Sequence, residues 1–178
     1  MDDLLTTLDE VIKIEFKQDT QGGALILEEP ENDDYPVTLI KKQGKALVYK
    51  FDQKGVDIFP VFNPSVALLN KICDYVIFYP HNNTMFVFLC ELKMTNITGS
   101  SKQVQATSLL ANYIVKMVQM YLNFRAFKVE YRALIFSTKK IKPITNKRFR
   151  EPYLEYPNGL KHKHLRAGEI CQLEHHCY

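Results

Sequence analysis

Apolar and polar residues recur along this chain with two different periods, and each period predicts a different element. Leu4, Leu5, Leu8, Val11 and Ile12 share one stripe at helical spacing, which predicts a short helix over 3–16. Gly22 and Gly23 open a turn, and 24–27 reads as a short strand. Residues 28–36 carry two prolines and five acids and read as an acidic loop. The stretches 37–41 and 46–51 read as strands around a Gln43-Gly44 turn, and 56–62 as a further strand. Asn63-Pro64-Ser65 then starts a short helix to about residue 70, capped by Ser65 or Asn63.

The strongest pattern follows. Residues 72–79 and 85–94 are apolar, β-branched and aromatic runs separated by the turn residues 80–84, so they predict two adjacent strands. After a polar loop at 95–101, residues 102–122 form an amphipathic helix. Val104, Ala111, Val115, Val118 and Leu122 lie near one face, broadened by Ile114, Met117 and Tyr121. Residues 127–136 read as another strand. The two strands around residue 82 are apolar on both faces, so their sheet is expected to be covered on both sides. A helix leading straight into an apolar strand reads as a crossover between parallel neighbours. The fold class is therefore α/β (α+β), a central mixed β-sheet flanked by helices. A single domain is expected over 1–178, with a core motif region at 65–136 and a basic extension at 137–178.

Composition adds limits. Hydrophobic residues are 46% and charged residues 24%, an ordinary globular balance, so a core without staples is affordable in 178 residues. No apolar run reaches transmembrane length, and the acidic start lacks a signal peptide's regions. The four cysteines suggest no disulfide framework; two lie in strand-like runs, and a reducing, cytoplasmic setting is expected. The net charge is only +3, but its distribution is uneven. Lys139, Lys140, Lys147, Arg148, Arg150, Lys161 and Lys163 fall in the last third and are the expected nucleic-acid contacts.

One pair of residues carries chemistry. Opposed residues of an antiparallel hairpin have a constant index sum, and a turn within 81–84 puts that sum near 165. Asp74 and Glu91 sum to 165, so their carboxylates face each other or miss by one position. Lys93 projects from the same face. Two opposed like charges on an apolar sheet are costly, and a divalent cation relieves the cost. Oxygens from both carboxylates, a backbone carbonyl (Leu92) and water suit Mg²⁺ or Mn²⁺. A lysine beside them can orient a water or neutralise charge developing on a phosphate. The alternative is a structural salt bridge from Lys93 to Glu91 or Asp74.

The run Ile72-Cys73-Asp74-Tyr75-Val76-Ile77, then Phe88-Leu89-Cys90-Glu91-Leu92-Lys93, then a helix opening Lys102-Gln103-Val104-Gln105, resembles the PD-(D/E)xK nuclease superfamily. The resemblance covers roughly 65–136 and implies a restriction-endonuclease-like core. It implies that Asp74 and Glu91 bind Mg²⁺ and that Lys93 assists the water. It also implies a supporting glutamine at Gln103, with Gln105 as the alternative. A glutamate in the first helix is implied too: Glu10, with Glu15 competing. The chain departs from the pattern in having Cys73, not proline, before Asp74.

The expected function is metal-dependent hydrolysis of phosphodiester bonds, with DNA the expected polymer, in a defence or mobile-element setting. The alternatives are a non-catalytic nucleic-acid-binding module and a subunit docking an ATPase or other partner; a homodimer follows only from the resemblance. The tail Cys171, His175, His176 and Cys177 crowds soft ligands into seven residues, and a frayed terminus is expected there in place of a zinc site. His162 and His164 read as solvated surface or phosphate contacts. A Gly-rich phosphate loop and a nucleophile elbow are both missing from the sequence.

Overall fold

The computed structural model describes residues 2–20, 23–28, 36–42, 44–63, 65–66, 69–93, 98–121, 127–138, 152–168 and 170–178. In chain order the elements are α1 (Asp2–Val11), β1 (Lys17–Gln18), β2 (Ala24–Leu27), β3 (Val37–Ile40), β4 (Leu47–Tyr49), β5 (Tyr75–His81) and β6 (Thr84–Lys93). There follow α2 (Ser100–Tyr121), β7 (Lys128–Ser137), β8 (Leu154–Glu155), β9 (Lys161–Arg166) and β10 (Ile170–Gln172). Among the described residues, Ile14–Phe16 and Leu173–His176 are 3₁₀ turns.

The fold is α+β. A seven-stranded mixed sheet has the order β1-β4-β5-β6-β7-β9-β8, and a three-stranded sheet has the order β10-β3-β2. β6, β7 and β9 are parallel neighbours, as the crossover through α2 requires, whereas β5 runs antiparallel to β6. Alternation along the central strands builds two cores. Val76, Phe78, Val87, Leu89, Ala133 and Ile135 point to one face, where Leu4, Leu5 and Leu8 of α1 and Val104, Ala111, Val115 and Val118 of α2 cover them. Tyr75, Ile77, Phe86, Phe88, Cys90 and Phe136 point to the other, against Leu25, Leu27, Val37 and Leu39 of the small sheet. Both helices thus flank one face, and the second sheet takes the place of helices on the other.

The structure differs from the sequence-based expectation at several points. The first helix stops at Val11, and Lys13 is extended (φ −54°, ψ 138°) before the turn that buries Phe16. The β-branched residues Val11, Ile12 and Ile14 weaken helix continuation there. β3 and β4 do not form a hairpin with each other: β3 pairs with β2 and β10, β4 with β1 and β5. Residues 56–62 form no strand, and the described residues of 63–70 form turns with no helix. Among the described residues no helix is long and apolar enough to cross a membrane.

The β5–β6 hairpin closes on two residues, Asn82 (φ 46°) and Asn83 (φ 60°), while the expected turn spanned 80–84. Positive φ at both central positions is the two-residue turn whose twist matches the strands, and asparagine tolerates it better than most residues. Asn83→Val is therefore expected to cost about 1–2 kcal/mol in urea unfolding, while Asn83→Gly stays within about 0.5 kcal/mol of wild type. Equal effects of the two changes would mean that the turn does not restrain the hairpin.

Candidate active site

Asp74 stands one residue before β5, and Glu91 lies late in β6. The two strands pair with a constant index sum of 165, from Tyr75 opposite Cys90 to His81 opposite Thr84. Asp74 lies in a bend one residue beyond the end of that ladder, near enough to Glu91 for its charge to act on the Glu91 carboxyl. Lys93 returns to the face of Glu91 two residues later, and its ammonium lies 2.5 Å from Oε1 of Glu91. Asp74 is held in place by Oδ2, which accepts a 2.7 Å hydrogen bond from the Leu92 N–H. A strand residue's N–H and C=O point to the same side, so the Leu92 carbonyl also faces the Asp74 side of β6.

The electrostatics are unbalanced. The Glu91 side chain is 0% exposed and that of Lys93 25%. Neither Glu91 oxygen makes a well-directed hydrogen bond, so the Lys93 contact is an ion pair of close charges. Burial, then the nearby Asp74 charge, pushes the Glu91 carboxyl up to about 8, and Lys93 and the Cys73 thiol only partly oppose this. Burial and Glu91 likewise hold the Cys73 thiol well above its ordinary range.

The start of α2 is fastened to this corner. The Cys73 N–H donates to Oγ1 of Thr107 (2.7 Å), whose hydroxyl donates to the Gln103 carbonyl (2.8 Å). Nε2 of Gln103 donates in turn to the Ile72 carbonyl (3.2 Å). Gln103 is thus the glutamine beside the site, acting on backbone next to Asp74. Gln105 instead donates to Ser101 on its own helix.

Other expected residues fall elsewhere. Glu10 is exposed on α1, about 200° around the helix from Leu8, which faces the core. Glu15 is exposed in the following 3₁₀ turn. Neither joins the Asp74–Glu91 pair. Lys139, Lys140, Lys147, Arg148 and Arg150 lie outside the described residues. Lys161 and Lys163 are described, but they pair with Arg132 and Leu134 and so lie on the sheet face away from Glu91. The Lys163 ammonium sits 5.6 Å from the Tyr153 ring centre.

The alternate residues of β9, of which His162 and His164 were read as solvated surface or phosphate contacts, share the face of Glu91. Glu91 lies in register with Ile135 and then His164, and Lys93 with Ser137 and then Arg166. The signal was the period of two within Lys161–Arg166, which sorts its charges onto opposite faces. Burial holds both His162 and His164 below the usual histidine range, so both are uncharged at neutral pH.

The C-terminal tail is not frayed. β10 pairs in parallel with β3, and Cys171, Leu173, His176 and Cys177 are buried. Paired backbone anchors it as an end strand of the second sheet, and its small apolar side chains join that sheet's core. Burial pushes His176 down to about 3. Its Nε2 is 2.9 Å from Cys171 Sγ and its Nδ1 3.0 Å from the Tyr153 hydroxyl, so its two nitrogens face different partners.

No protein-family model, curated protein or solved structure matches this chain. Among the described residues no group of three or more His, Cys, Asp or Glu side chains is arranged to hold a metal ion. Two carboxylates are enough for one class of ion: Mg²⁺ keeps several waters and takes one or two carboxylates plus phosphate oxygens. The hard oxygen donors and the under-bonded buried Glu91 fit such an ion.

The raised Glu91 value has a stability consequence without metal. Its folded value lies above its ordinary 4.5, so the folded chain binds the proton more tightly. Stability from this group is full below about pH 4.5 and is lost as pH rises toward about 8. In EDTA, Glu91→Gln is expected to be more stable than wild type at pH 8, by on the order of a few kcal/mol, and nearly equal at pH 5. Urea midpoints at the two pH values check this, and a difference independent of pH would contradict it.

Proposed function

We propose that this chain is a metal-dependent nuclease that hydrolyses phosphodiester bonds in nucleic acid, with DNA the expected polymer. The observation that carries the reading is the wholly buried Glu91 carboxyl beside Asp74, with the partly exposed Lys93 against it. The order of these residues and of the following helix is that of the PD-(D/E)xK nucleases, which supports the reading by resemblance alone.

In this reading Asp74, Glu91 and the Leu92 carbonyl would hold Mg²⁺ or Mn²⁺. A bound ion of that kind supplies polarisation of the phosphodiester and of the attacking water. Asp74 keeps its position through the Leu92 N–H. Lys93, partly exposed beside Glu91, brings a positive charge to where an anionic phosphate would sit. Gln103 and Thr107 position the 72–73 backbone, and through it Asp74.

A second reading has one observation in its favour. Lys93 is already paired with Glu91, as it would be in a binding module that does no chemistry. Cleavage separates the two. Linear and supercoiled duplex DNA, single-stranded DNA and RNA are incubated with Mg²⁺, Mn²⁺ or EDTA. The nuclease reading expects metal-dependent cutting of at least one substrate, reduced at least about 100-fold in Asp74→Ala and in Lys93→Ala. Binding without cutting, in every metal, supports the module instead.

A further inference from the structure

We infer that His164 and Arg166 of β9 form a phosphate-binding extension of the Asp74–Glu91 site. This rests on the nuclease reading above. The register carries it: Glu91, Ile135 and His164 form one row across β6, β7 and β9, and Lys93, Ser137 and Arg166 form the next. Directly paired residues point to the same face, so the imidazole and the guanidinium emerge on the carboxylate side. Two strand spacings put the His164 Cα about 10 Å from that of Glu91. Ile135 and Ser137, between them, are buried, Ile135 in the cluster under α1 and α2. The long Arg166 side chain, exposed at the end of β9, can reach a phosphate next to one held at the carboxylates.

The same face holds a second polar group in need of a partner. His162 is 8% exposed, and its Nδ1 has no hydrogen-bond partner. Its ring stacks on Tyr156 at 3.9 Å and meets His164 edge-on at 5.7 Å, which fixes the orientation of both imidazoles. Uncharged imidazoles can donate N–H groups to phosphate oxygens, while Arg166 supplies the charge. Lys93, Ser137 and Arg166 sit at the C-terminal ends of the parallel strands β6, β7 and β9, where open α/β sheets place their ligands. The β9 lysines, Lys161 and Lys163, face the other way and are assigned no such role.

The test is binding of fluorescently labelled single-stranded and duplex DNA and RNA oligonucleotides in EDTA, read by anisotropy over a range of salt concentrations. Arg166→Gln is expected to raise Kd about tenfold and to lower the slope of log Kd against log salt by about one. His164→Asn should weaken binding with the slope unchanged, since no charge is lost. The pair Lys161→Gln and Lys163→Gln, on the same strand but the opposite face, should leave Kd within about twofold. Arg166 is exposed, so its variant carries the test if His164→Asn lowers the melting temperature. Wild type that binds, with Arg166→Gln unchanged or with the lysine pair costing as much, overturns this inference alone. Wild type that neither binds nor cuts any nucleic acid overturns the nuclease reading and this inference with it.

Discussion

The two-residue turn at Asn82 and Asn83 sets how β5 slides against β6, and most of the molecule depends on that register. A slip of one residue would send every side chain of one strand to the other face. Val76 and Phe78 would leave the helices, Tyr75 and Ile77 would leave the small sheet, and Asp74 would no longer lie beside Glu91. Because both faces are buried in apolar clusters, only one register satisfies both. The hydrophobic effect thereby holds Glu91 buried beside Asp74 at the end of the hairpin, which favours the protonated form of Glu91.

That end is also where the other elements converge. β6, β7 and β9 finish there in parallel, and α2 begins there, tied to residues 72–73 through Thr107 and Gln103. Leu89, Ala133 and Ile135 lie in the core under α1 and α2. The unfavourable site is small beside the apolar area that enforces it. A fold built this way can tolerate a buried glutamate that holds a proton when no cation is present.

Much of this was legible in the sequence. Long runs rich in aromatic and β-branched residues announced β5, β6 and β7, and turn residues between the first two made the closeness of Asp74 and Glu91 a matter of counting. The amphipathic period located α2 within two residues at its start. What was not legible had specific causes. β3 and β4 look like a hairpin locally, yet each finds its partner far away in the chain, and local pattern holds no record of that. The tail has few apolar residues and reads as frayed, but pairing with β3 buries it. In Lys161–Arg166 the charges blur into one basic run until the neighbouring strand shows which of them share a face with Glu91. Glu10 was assigned by position in a helix, and only the packing of Leu8 shows that it points away.

The central claim is that Asp74 and Glu91 form a cation site. Isothermal titration calorimetry of Mn²⁺ at pH 8, on wild type, Asp74→Asn and Glu91→Gln, tests it without requiring any substrate. The account predicts one saturable site on wild type, weakened at least about tenfold by either substitution. It further predicts that wild-type affinity falls as pH drops from about 8, because the ion must displace the proton held by Glu91. No saturable binding to folded wild type, or binding that both substitutions leave intact, would contradict it.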